Sequence, residues 1–144
     1  MAFPEPQLGL VVSYAYLWHR EHRAGREEGR KDRPCVIVLS LQNASDGSTI
    51  VRVVPVTHSP PNNLQAALDL PLAVKRHLGL DDEPTWVILD EVNEFTWPGF
   101  DLRPVSGARN TFAYGFLPPR LFNALMAKLA EVWTAGQGKT TPRG

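Results

Sequence analysis

Two apolar runs flank one tight reversal, and this pattern constrains the fold most. "RPCVIVLSL" is followed by "NASDGS" and then "TIVRVVPVT". The runs are rich in β-branched residues, which suit strands. Asn, Ser, Asp and Gly favour a tight turn. The segment therefore reads as an antiparallel hairpin, and "CVIVLSL" is apolar enough to be buried on both faces. Pro34 fixes its own φ and holds Arg33 extended at the strand mouth. The reversal brings the start of one strand alongside the end of the next, so Arg33 is expected near Thr57.

Around the hairpin the chain reads mainly as strands. "GLVVSYAYLW" alternates, with Val12, Tyr14, Tyr16 and Trp18 on one face and Val11, Ser13, Ala15 and Leu17 on the other. "QAALDL", "TWVILDEV" and "NEFTW" read as further extended pieces, with a short one over Thr111–Tyr114. "PLAVKRHLGL" reads as a short inserted helix, with Pro71 suited to its first position and Gly79 to its exit. "LPPRLFNALMAKLAEVW" is the strongest helix. Leu121, Phe122, Leu125, Met126, Leu129, Val132 and Trp133 form its apolar stripe. Strands and helices do not alternate regularly, which argues against a doubly wound parallel sheet. The expected fold is mainly β: a small antiparallel barrel or curled sheet with a short inserted helix and a C-terminal helix.

A chain of 144 residues fits one domain with a sizeable core. We expect an ordered core over about 9–133, with 1–7 and the polar, Gly-rich 135–144 flexible. No apolar run reaches the roughly 20 residues that span a bilayer, and no secretory signal is visible. With 43% hydrophobic and 21% charged residues, a soluble, cytoplasmic protein with no membrane partner is expected. Cys35 is a lone cysteine, inside an apolar strand, and reads as a small buried hydrophobe. Zero formal net charge argues against a broadly basic nucleic-acid surface. The segment from Arg20 to Arg33 is locally positive and reads as a solvated loop.

Few residues offer chemistry. His19 and His22 lack partners at a recognised metal-ligand spacing and read as a surface pair; no metal and no cofactor is expected. His77 falls in the short helix. No phosphate-binding glycine motif or nucleophile elbow is present. What remains is polar groups at strand ends. Arg33 supplies a planar fork of donors and Thr57 a rotatable hydroxyl, a pair able to bind an anion. The alternative is a strand-edge pair with no ligand. His58 is a secondary candidate: it shares a face with Thr57 only if the strand has ended there, which Pro60 and Pro61 favour. Asp90, Glu91, Glu94 and Trp97 in "LDEVNEFTW" form either a site element or a strand end with an exposed acidic turn and a half-buried tryptophan.

In this order the motifs resemble the MazF/PemK family of bacterial toxin–antitoxin growth inhibitors. The family's opening strand is similar to "GLVVSYAYLW", its loop and R-P strand to "GREEGRKDRPCVIVLS", its P-x-T strand end to "VVPVTHS", and its D-Q-V element to "LDEVNEFTW". "YGFLP" and the final helix follow, so the resemblance runs from about Gly9 to Trp133. It implies an SH3-like β-barrel, a homodimer, and a metal-independent endoribonuclease that cuts single-stranded RNA and is held inactive by a cognate antitoxin. It places catalytic roles on Arg33 and Thr57, and supporting roles on Glu27, Asp90 and Glu91. His58 is a further candidate for support. Trp18, Trp97, Arg26, Arg30 and Lys31 are the residues expected to stack on bases or touch phosphates.

Three departures stand out. The loop from Trp18 to Arg33 is long and charged. Glu91 stands where the family has glutamine, and its charge would either repel RNA or pair with Arg33. An extra segment, about Leu72 to Pro84, carries the short helix. The competing readings are a non-catalytic module binding RNA or peptide on the same barrel, and a structural homodimer with a vestigial site.

Overall fold

The computed structural model describes residues 3–25, 31–105 and 111–143. Its core is the expected hairpin, β2 (Arg33–Gln42) and β3 (Thr49–Thr57). They pair antiparallel, with Cys35 opposite Pro55 and Gln42 opposite Thr49. β1 (Leu10–Tyr14) lies on the other side of β2, with Val12 opposite Cys35 and Tyr14 opposite Arg33. It is shorter than the alternating run, and residues 15–18 continue without strand pairing.

β3 is the pivot of the sheet. Its first half, Ile50–Val53, pairs with β6 (Glu91–Thr96), whereas Val56 and Thr57 pair with β5 (Trp86–Ile88). Pro55 has no N–H and falls in the gap between the two pairings, where no ladder donor is needed on that side. β5 pairs with β4 (Ala67–Asp69), and β1 with β7 (Ala113–Phe116). The run "TWVILDEV" is not one strand: it breaks at Leu89-Asp90, and its Glu91 and Val92 join "NEFTW" in β6.

The fold is mainly β, as the pattern implies. Among the described residues the strand path runs β4-β5-β3-β2-β1-β7 and does not close into a ring. The final residues differ from the expected flexible tail. Residues 139–142 are not a flexible tail: they form β8 (Lys139–Pro142), which pairs parallel with β6. Thr141 is fully buried there, and the Arg143 guanidinium grips Asp101 at 2.7 and 3.2 Å. At the other end, the Phe3 ring lies 4.7 Å from Phe112.

Both faces of the central sheet are buried. Val11, Val36, Val38, Val54 and Val56 face one apolar cluster, which α3 (Pro119–Thr134) covers with its predicted stripe. Val12, Tyr14, Tyr16, Cys35, Ile37 and Val53 face the other. The alternation of Val11 and Val12 read from the sequence therefore sorts the two cores. Burial pushes the Cys35 thiol up, as suits an inert buried hydrophobe. α2 (Leu72–Leu78) is the inserted helix. Pro71 is its N-cap rather than its first residue, and Gly79 closes it in the left-handed region at φ 74°. A short helix, α1 (His19–Arg23), occupies the start of the segment expected to be a solvated loop, and Glu21 within it is buried. No helix among the described residues is long and apolar enough to cross a membrane.

Candidate functional site

Arg33 opens β2 and Thr57 ends β3. Extending the Cys35–Pro55 register outward puts the two opposite each other, as the hairpin predicts. Both line a cleft of about 320 Å³ together with Lys31, His58, Asp81 and Tyr114. A second cleft, about 210 Å³, shares Arg33, Thr57 and His58 and is completed by Trp18, Asp90 and Glu91. A third, about 260 Å³, runs from Arg33 to Tyr16 and Glu21. Arg33 and Lys31 border all three.

The Arg33 side chain is held rather than free. Its guanidinium carbon lies 5.0 Å from the centre of the Trp18 ring, and that of Arg20 lies 5.2 Å from the same ring. Tyr16 braces Trp18 edge-on at 5.2 Å. Burial lowers the pKa of Arg33, yet an arginine keeps its charge in a protein. The buried Nε–H of Arg33 has no hydrogen-bond partner among the described residues. A buried cationic donor without an acceptor is costly, and an anion in the cleft would relieve it. Thr57 is 7% exposed, and its Oγ1 accepts from the Ser59 N–H at 3.1 Å. That bond uses an oxygen lone pair, so the hydroxyl proton is the part that can be offered to a ligand.

Glu91 does not pair with Arg33. Its Oε1 accepts from the Tyr16 hydroxyl at 3.1 Å and from the His19 N–H at 2.9 Å. It therefore fastens the segment that carries Trp18. Burial raises its pKa, partly opposed by the His19 and Tyr16 bonds. Asp90 is likewise raised by burial. Asn93, which the motif search missed, does the same fastening: its amide accepts from Leu17 N–H at 2.9 Å and donates to Leu17 C=O at 2.8 Å. A primary amide carries the separate acceptor and donor that this pair of bonds uses, but nothing local in "EVNEF" marks the partner.

β3 ends at Thr57, which frees His58 to face the same cleft. Its Nε2 lies 3.0 Å from Asp81 Oδ1. Asp81 comes from the loop after α2, so the extra segment contributes to the site. Trp97 does not. It packs in the second apolar cluster, 6.0 Å from the Phe95 ring, and lines none of these clefts. Its indole is half-buried and packs against the core there. Glu27, Arg26 and Arg30 lie outside the described residues.

The class that fold and site define is a mainly β protein with a cation–hydroxyl pair and a braced aromatic at one end of its central hairpin. A scan of protein-family models finds no match for the chain, and no curated protein matches it.

Proposed function

We propose that this protein is a metal-independent endoribonuclease that cuts single-stranded RNA by attack of the ribose 2′-hydroxyl, acting as the toxin of a toxin–antitoxin module. One observation carries the reading: the buried, unpartnered Nε–H of Arg33 sits across the β2–β3 register from the Thr57 hydroxyl, in a cleft bordered by Trp18. A phosphodiester offers the anion that Arg33 lacks, and its neighbouring base offers a face for Trp18. The nucleophile is already part of the substrate, so no water needs activating. The work left is to hold the phosphate in line and to stabilise the added negative charge of the pentacoordinate transition state. Arg33 supplies paired donors to the non-bridging oxygens, and Thr57 fixes one of them. The resemblance adds a cognate antitoxin, a homodimer and a cytoplasmic setting to the same proposal.

The test is incubation of single-stranded RNAs of varied sequence with the protein in EDTA. Wild type is expected to give discrete fragments, Arg33→Ala none, and Thr57→Ala a rate lower by about 10²–10³-fold. Intact RNA throughout, at high protein concentration, overturns the proposal. RNA binding without fragments would favour the non-catalytic module.

A further inference from the structure

Attack by a 2′-hydroxyl needs a base, and arginine at neutral pH is a poor one. His58 and Asp81 are 23 positions apart in the chain, yet the His58 ring and the Asp81 carboxylate meet at 3.0 Å on the wall of the cleft that holds Arg33 and Thr57. We propose that His58 is the general base of this site and Asp81 its positioning residue. The inference rests on the endoribonuclease reading.

The loop that presents Asp81 is built rather than loose. Gly79, left-handed, turns the chain out of α2. The buried Lys75 then reaches back from α2 and donates its Nζ to the Glu83 carbonyl at 2.5 Å. The Thr85 hydroxyl donates to the same carbonyl at 2.7 Å. Asp81 Oδ1 accepts the Glu83 N–H at 3.0 Å, which closes a tight turn over its own side chain. The oxygen that faces His58 is therefore fixed before any substrate arrives, as a positioning carboxylate should be.

The geometry also assigns the nitrogens. A carboxylate only accepts, so Nε2 carries the proton and donates to Asp81. Nδ1 then holds the lone pair. Glu83 Oε2 lies 4.0 Å from it, beyond hydrogen-bond reach. In the proposed step the 2′-oxygen bonds to phosphorus as its proton passes to Nδ1. The bond from phosphorus to the 5′-oxygen breaks, and that oxygen leaves with a proton from solvent. The products are a 2′,3′-cyclic phosphate and a 5′-hydroxyl, and His58 returns its proton to water.

Other charged and titratable groups line the same clefts. Lys31, Asp32 and Arg33 face His58 from the start of β2, and Tyr114 from β7. Arg20, Asp90 and Glu91 face it across the second cleft. A base must be unprotonated to take the 2′-hydroxyl proton, so a general base here gives an acid limb to the rate profile.

The experiment measures single-turnover cleavage of one single-stranded RNA across pH in EDTA, with thermal unfolding run on every variant. His58→Ala is expected to lose about 10²–10⁴-fold in rate, to lose the acid limb, and to regain rate with added free imidazole. Asp81→Asn is expected to lose about tenfold or more and to shift the acid limb. Asp82→Asn, whose carboxylate faces Arg76 at 3.7 Å, is expected to leave the rate unchanged. His58→Ala at wild-type rate with the acid limb intact overturns the assignment while leaving the Arg33–Thr57 reading in place. Cleavage seen only without EDTA overturns the assignment and the metal-independent reading together, because His58, Asp81 and Glu83 would then be acting as a metal-binding trio. Wild type that never cleaves overturns both.

Discussion

Glu91 is the residue where sequence and structure part most clearly. As a departure from a resembled glutamine it reads as a charge that either repels RNA or pairs with Arg33. The structure uses it instead as a half-buried acceptor for the His19 N–H and the Tyr16 hydroxyl. Glutamine offers the same Oε1, so Glu91→Gln should keep both bonds. Burial raises the Glu91 pKa, so the folded chain holds that proton more tightly than the unfolded chain. Its contribution to stability is therefore greatest at low pH and falls as pH rises from the ordinary carboxylate value to the raised one. Urea unfolding from acidic to neutral pH should show Glu91→Gln at least as stable as wild type at neutrality, with a flatter profile. Glu91→Ala should lose about 1–3 kcal/mol, the cost of leaving the Tyr16 hydroxyl and the His19 N–H without their acceptor. Equal losses in both variants would contradict this role. At Thr57 the useful pair is Thr57→Ser against Thr57→Val. The first should keep most of the RNA cleavage, and the second should lose about as much as alanine, because the hydroxyl and not the volume faces the ligand.

Among the elements, the hairpin was legible because its information is local: two apolar runs, one turn, and a proline at each critical place. Arg33 opposite Thr57 followed from that register without any long-range knowledge. β8 was not legible. "GKTTPR" is polar, and it becomes a strand only by lying parallel to β6, which is remote in sequence. Gly138 is the one local trace. A Cβ on it would fall 2.1 Å from Cδ2 of Trp133, so the chain needs glycine where the tail crosses the indole. Two variants follow from this packing. Gly138→Ala should lower stability by about 1–3 kcal/mol through overpacking. Arg143→Ala should lower it by about 3 kcal/mol by leaving the Asp101 carboxylate without its partner. Thermal unfolding decides both; a tail that matters little would leave the midpoint unmoved.

At the scale of the whole molecule, charge had to be read locally. Zero net charge says nothing about one end of the sheet, where Arg20, Lys31 and Arg33 gather round Trp18. If these three contact phosphates, the slope of log affinity for single-stranded RNA against log salt should be about −2, and removing one cation should reduce it by about 0.7. A slope near zero would contradict phosphate binding there. The partnership of His58 with Asp81 was out of reach of the sequence for the same reason as β8: it depends on where an inserted helix sets down its following loop. The reading as a whole stands on whether Arg33 acts on a phosphodiester. End-group analysis of single-stranded RNA incubated with the protein in EDTA answers that. Fragments ending in 2′,3′-cyclic phosphate and beginning with 5′-hydroxyl, absent with Arg33→Ala, are the expected result. Intact RNA, fragments with 5′-phosphate ends, or equal cleavage by Arg33→Ala would contradict it.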